Sequence, residues 1–184
     1  MSAVGDPCTA GFFCKEGSSY TIPPTETFGS MCAKGEFCPE GSGTATACTA
    51  GKYCENSLLS AVSGDCASGF FCLEGSTSAK PTEVLEGAIC PVGTYCDGGL
   101  SAAVNCPVGT YSVSTGLKAD TECYDCIEGF YCDVAGLSSL AAKKCPVGYY
   151  CPRGTSNPNA NECEAGYMCP EGSHEQIKCE AGTY

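Results

Sequence analysis

The chain has 184 residues, of which 19 are cysteine, 24 glycine and none tryptophan. Leu, Ile, Val and Phe together make only 28 residues, too few for the packed apolar interior of an ordinary domain of this length. The formal charge of −12, from 21 acidic and 9 basic residues scattered along the chain, leaves no basic stripe for nucleic acid and disfavours anionic membrane surfaces; no apolar run approaches the ~18 residues of a transmembrane helix.

Met1–Pro7 has neither the basic nor the apolar region of a signal peptide, and the sequence reads as a piece of a longer array. From Cys8 onward one heptad, Cys-x-x-Gly-x-(aromatic)-Cys, returns ten times. The copies are CTAGFFC (8–14), CAKGEFC (32–38), CTAGKYC (48–54), CASGFFC (66–72), CPVGTYC (90–96), CPVGTYS (106–112), CIEGFYC (126–132), CPVGYYC (145–151), CEAGYMC (163–169) and CEAGTY (179–184). Glycine holds the fourth position in all ten, and the sixth is aromatic in all but one, where Met168 stands. Such repetition predicts a stacked or strung array in place of a globule.

A longer period overlies the heptads. Residues 8–32 align with 66–90 at an offset of 58, and the next two heptads keep it. This divides the chain into units 1–65 (heptads at 8, 32 and 48), 66–125 (66, 90 and 106) and 126–184 (126, 145, 163 and 179). Many heptads continue as x-x-Gly-Ser/Thr (KEGS, PEGS, LEGS, PRGT), the composition of turns. No window shows helical periodicity. The expected fold is a set of small disulfide-rich modules in an elongated tandem array, with short β-hairpins and turns and little or no helix. The recurrent glycine is expected either to take a positive φ or to admit another backbone closely. Fourteen of the 17 aromatic residues lie in the heptads, where ring and disulfide would form each module's miniature core.

Cysteine at this density points to an oxidising, extracellular location, secreted or on the cell surface. Zinc prefers close thiolate pairs with histidine. Here Cys123 and Cys126 are the one C-x2–4-C pair, and His174 is the single histidine. Two local pairings are open. A staggered one joins neighbouring heptads: Cys14–Cys32, Cys38–Cys48, Cys54–Cys66, Cys72–Cys90, Cys96–Cys106, Cys123–Cys126, Cys132–Cys145, Cys151–Cys163 and Cys169–Cys179, with Cys8 left to pair within or outside its heptad. An intramotif one closes each heptad on itself (Cys8–Cys14 and so on), with Cys106–Cys123 as the odd pair and Cys179 left over. Interlaced 1–3 and 2–4 bonds in a four-cysteine module are a third possibility. The sixth heptad has Ser112 in place of its second cysteine, and an extra cysteine follows at 123, which suggests a relocated bond.

The runs CPVGTYC (90–96), CPVGTYS (106–112) and CPVGYYC (145–151) resemble ephrin-receptor-like cysteine-rich repeats, a growth-factor-receptor-like module. The stretch 106–126, CPVGTYSVSTGLKADTECYDC, is the nearest match. It is also similar to the first half-module of tumour-necrosis-factor-receptor repeats, in which the first cysteine bonds the second. That resemblance implies Cys106–Cys123; the other heptads depart from it by carrying a seventh-position cysteine, and their pairing stays open. It implies rods, stalks and extracellular assemblies, and no catalytic residues.

Other chemistry finds little footing. Asp97, Asp120 and Glu122 do not follow the order of a calcium-binding module, and no nucleotide-binding fingerprint occurs. Cys123-Tyr-Asp-Cys126 has the redox spacing without a βαβ setting, and Ser112 has no base nearby. Asn161-Glu-Cys163 is at best a variant sequon, whereas Thr21, Thr25, Ser42, Thr44 and Thr46 sit in loops able to carry O-linked sugar. The expectation is a non-enzymatic extracellular structural protein without cofactor or metal: a stalk, fibre or surface coat. Its partners would be neighbouring repeats or further copies, with possible attached glycans and neither nucleic acid nor membrane insertion. The alternative is a ligand-binding receptor ectodomain or adhesin. It would present the longer loops that carry Tyr20, Pro23, Pro24 and Phe28 in one and Pro81 in the other.

Overall fold

Each of the first nine heptads opens with a turn. A computed structural model describes residues 6–182; the first five residues and the final two, including Tyr184 of the tenth heptad, lie outside it. Within each of the first nine heptads the fifth-residue N–H donates to the second-residue C=O, as in Phe12 to Thr9 (3.0 Å) and Lys52 to Thr49 (2.9 Å). The glycine is third in this four-residue turn. All ten motif glycines have φ between +77° and +93°, the value that a type II turn requires at that place.

Beyond the turn the chain extends for two or three residues and meets a returning strand. The seven two-stranded antiparallel sheets are β1 (Phe12–Cys14) with β2 (Gly29–Met31), β3 (Glu36–Phe37) with β4 (Thr46–Ala47), β5 (Lys52–Tyr53) with β6 (Gly64–Asp65), β7 (Phe70–Cys72) with β8 (Gly87–Ile89), β9 (Thr94–Tyr95) with β10 (Val104–Asn105), β11 (Thr110–Tyr111) with β12 (Tyr124–Asp125), and β13 (Tyr167–Met168) with β14 (Ile177–Lys178). The seventh and eighth heptads make single bridges instead, Phe130 to Lys144 and Tyr149 to Glu162. The described residues hold one helical turn, the 3-10 segment Asp120–Glu122. Small disulfide-rich modules in tandem, with short hairpins and almost no helix, are the architecture that the repeats predict.

Between the arms of many hairpins lies a second turn, the x-x-Gly-Ser/Thr segment. Ser42 N–H donates to Pro39 C=O and Ser173 N–H to Pro170 C=O, and both hydroxyls donate to the same carbonyls at 2.7 Å. The 58-residue duplication is structural as well. β1–β2 and β7–β8 share one register, and Gly29 and Gly87 at their ends have φ of +143° and +135°.

The cysteines pair within their heptads. The bridges are Cys8–Cys14, Cys32–Cys38, Cys48–Cys54, Cys66–Cys72, Cys126–Cys132, Cys145–Cys151 and Cys163–Cys169, with Cα atoms 5.7–6.1 Å apart. Cys106 pairs with Cys123, and Cys90 and Cys96 are likewise disulfide-bonded. Cys179, included above among the bridging cysteines of the staggered pairing, has no partner among the described residues. The type II turn explains the choice: it folds the heptad back so that its first and last Cα atoms come to bridging distance. Among the described residues the hydrophobic core numbers seventeen, all but Leu117 cysteines, whereas the sixth-position rings of the first eight heptads stay half-buried and Met168 is exposed. Sulfur is the interior.

Bridges of this kind tie no heptad to the next. Backbone hydrogen bonds do. Two compact units divide the chain, one formed by residues up to Ile89 with Cys96–Ala103, the other by Cys90–Tyr95 with the residues from Val104 onward. In the first unit Gly51 N–H donates to Cys72 C=O and Cys66 N–H to Gly51 C=O; Cys54 N–H donates to Ser76 C=O and Gly75 N–H to Cys48 C=O. These four rungs measure 2.8–2.9 Å. In the second unit the same four join heptad seven to eight (Gly129 to Cys151, Cys145 to Gly129, Cys132 to Thr155, Gly154 to Cys126), again at 2.8–2.9 Å.

A further approach spans two heptads. A Cβ on Gly51 would lie 2.4 Å from the carbonyl oxygen of Gly99, and one on Gly129 would lie 2.4 Å from that of Gly172. Positive φ and close approach, alternatives in the sequence, therefore operate together at the same glycine.

Candidate interaction surfaces

The module at 106–126 departs from the rest. Ser112 occupies the backbone place of a second cysteine and keeps its rungs: its C=O accepts from Gly93 N–H (2.9 Å) and its N–H donates to Leu137 C=O (3.0 Å). The Ser112 hydroxyl is fully buried, donates to Ser114 C=O and accepts from Ser114 N–H, both at 3.1 Å. It is a turn-forming group, with no base in contact. Leu117 is buried against Cys106 and Cys123 with Tyr95 packed alongside. The Glu122 carboxylate accepts the Lys118 N–H at 2.6 Å and ties down the segment that delivers Cys123.

The relocated bridge leads directly into β12. Tyr124 there pairs with Tyr111 of β11, with ring centroids 6.0 Å apart and planes tilted by 49°. The Arg153 Nε donates to Asp125 Oδ2 at 3.1 Å. Two open grooves of about 520 and 370 Å³ flank this cluster and share Tyr124, Asp125 and Arg153. Cys123 and Cys126, the close pair considered for zinc or redox chemistry, belong to two different bridges.

The two long loops have equivalent ends and different faces. In the first, Tyr20 and Phe28 meet edge-on at 5.2 Å, Lys15 Nζ donates to Glu26 C=O (2.7 Å), and Pro23 and Pro24 line a groove of about 280 Å³ beside Phe12 and Met31. In the second, Pro81 is fully buried and the Glu86 carboxylate receives the N–H and hydroxyl of Thr77. Val84 and Leu85 project into solvent, 84% and 88% exposed.

The remaining sequence candidates are dispersed. Thr25, Thr44 and Thr46 are exposed, whereas Thr21 and Ser42 are partly buried and engaged through backbone bonds. His174 is exposed beside Glu175 at 3.7 Å. Asn161 Nδ2 donates to Tyr150 C=O at 3.2 Å. Asp97 serves through its carbonyl, which accepts the Ser68 hydroxyl. Among the described residues no group of three or more His, Cys, Asp or Glu is arranged to hold a metal, and no helix is long and apolar enough to cross a membrane.

One resolved electrostatic pair joins the arms of the seventh module. Lys143 Nζ donates to Asp133 Oδ1 at 2.6 Å and lies 5.2 Å from the Tyr131 ring centre. That hydrogen bond holds the Asp133 carboxyl below its ordinary range and the Lys143 ammonium above its own.

Two features escaped sequence reasoning. Leu58, at φ +64°, is the one described non-glycine residue with positive φ, and its N–H donates to Cys32 C=O as that of Gly116 does to Cys90 C=O; its signal was that, among the nine complete heptads, the one at 48–54 alone has no glycine three or four residues after its seventh position. The Asp125–Arg153 contact joins residues 28 apart, and its signal was that Arg153 is the chain's single arginine. Comparison with known protein families and with curated proteins finds no match.

Proposed function

We propose that this chain is an extracellular structural repeat protein, a disulfide-stapled stalk, fibre or surface coat related in design to ephrin-receptor-like modules. The observation that carries the reading is the recurrence of the same backbone rungs from heptad to heptad within each unit. Each module is closed covalently, so it survives outside the cell, and offers its neighbour the same set of donors and acceptors. Stacking of that kind extends by adding modules or, head to tail, by adding copies.

Small-angle scattering tests the shape. A compact chain of this length has a radius of gyration of about 16 Å. The proposal expects a much larger value, and electron microscopy of native material should show the chain recurring along a fibre or layer. A value near the compact figure, with no such assembly, sinks it.

A ligand-binding ectodomain is the second reading, favoured by the exposed Val84–Leu85 pair on a loop whose base is pinned by Glu86. Val84→Ser with Leu85→Ser should then abolish capture of a partner from the cell surface while the disulfide map stays intact. Unchanged capture removes this reading.

A further inference from the structure

Among the nine complete heptads, the one that gives up its own disulfide also has grooves on both sides of an exposed ring. Moving the second cysteine from position 112 to 123 lengthens the arm between Tyr111 and Tyr124 and places Tyr124, 53% exposed, at the head of β12. A rule broken at one copy of a regular repeat marks a place where something other than folding sets the sequence.

The groups around that ring are a recognisable set. Arg153 enters from the second turn of the eighth heptad and spends one of its five donors on Asp125. Its other four N–H groups, the second Asp125 oxygen and the hydroxyls of Tyr111 and Tyr124 have no protein partner among the described residues. An aromatic face thus stands beside a planar fork of donors and a carboxylate. The face suits the C–H surface of a sugar ring, and the fork and carboxylate suit adjacent hydroxyls.

Charge narrows the ligand. Glu122, Asp125 and Glu128 outnumber Arg153 among the lining residues, and the chain carries −12 overall, so phosphorylated, sulfated and acidic sugars are repelled. A purely apolar ligand would leave the polar groups unpaired. Both groove volumes fall within the roughly 300–1,000 Å³ usual for small-ligand sites.

We propose that the groove around Tyr124, Asp125 and Arg153 binds a neutral oligosaccharide. The inference stands apart from the structural role above: a stalk without sugar affinity keeps that role and loses this one.

The full chain is titrated calorimetrically with cellohexaose, laminarihexaose, mannotriose and triacetylchitotriose. At least one should bind with a dissociation constant of about 1 mM or lower. Tyr124→Ala and Arg153→Ala should each weaken it at least about tenfold, and Tyr124→Phe should stay within about threefold. Peptide mapping of Cys106–Cys123 confirms that each variant is folded; should Tyr124→Ala lose the bridge, Arg153→Ala carries the test. The proposal is overturned if none of the four sugars binds, or if affinity survives both substitutions. It is also overturned if an octalysine peptide binds in a Tyr124-dependent way and the sugars do not.

Discussion

At the scale of the residue, glycine at the fourth heptad position meets two separate demands, and they can be told apart. Gly51 has φ +86° and a backbone oxygen where its Cβ would be, whereas Gly148 has φ +85° and nothing within 4 Å of that point. Gly148→Ala should cost only the left-handed penalty of roughly 1–2 kcal/mol. Gly51→Ala should cost about 2–4 kcal/mol, since a backbone oxygen cannot step aside as a side chain would. Hydrogen exchange of the neighbouring rung amides reads both, and equal losses would remove the close approach from the account. Leu58 is the converse case, a bulky residue in a conformation that suits glycine, with its side chain half in water. Leu58→Gly should stabilise its module by about 0.5–1 kcal/mol, the relief of strain being partly offset by unfolded-chain entropy. A destabilised variant would mean that the Leu58 side chain contributes packing its exposure does not suggest.

At the scale of the element, the intramotif pairing changes how each bridge works. A bond across seven residues restrains the unfolded chain less than one across eighteen, so a heptad bridge contributes about 2 kcal/mol and Cys106–Cys123 about 3 kcal/mol. Replacing Cys106 and Cys123 by alanine should therefore be costlier than replacing Cys48 and Cys54, as measured by denaturant unfolding. The reverse order would show that packing of Leu117 survives without its bridge. The Asp133–Lys143 pair makes a pH prediction. The Asp133 carboxyl is held below its ordinary 3.8, so its contribution is complete above that pH and is lost as pH falls through the lower, folded value. An NMR titration should place the Asp133 midpoint below 3.8, and Lys143→Met should return it to the ordinary range. The pair is partly open to solvent, which screens it, so its contribution to stability is small.

At the scale of the whole molecule, cohesion has two sources that fail under different conditions. Disulfides close the modules, and backbone rungs join neighbours within each unit. Because nearly every buried hydrophobic group is a half-cystine, reduction removes the interior itself as well as the cross-links. Reduction and alkylation should abolish the exchange protection of the rung amides and flatten the thermal transition. Protection that persisted in the reduced chain would show that glycine turns and rungs suffice without sulfur.

The repeat, its turns and its reliance on cysteine were legible in the sequence because they are local: a glycine at a fixed offset, a Ser/Thr closing many of the second turns, a cysteine at either end of seven residues. The displaced bond at Ser112 and Cys123 was legible for the same reason, as one loss beside one gain. The choice between staggered and intramotif bridges was not, because both satisfy the same spacings. It depends on whether the turn brings Cα atoms of one heptad to within about 6 Å, which is a matter of φ and ψ. The rungs were hidden too, since backbone donors and acceptors carry no residue identity and their partners lie in the next heptad. So was the contact of one glycine with a carbonyl two heptads on, and with it the cluster of Tyr124, Asp125 and Arg153. Composition and spacing determine which module forms; only the three-dimensional stacking decides which surfaces those modules bring together, because stacking is made by main-chain atoms that every residue shares.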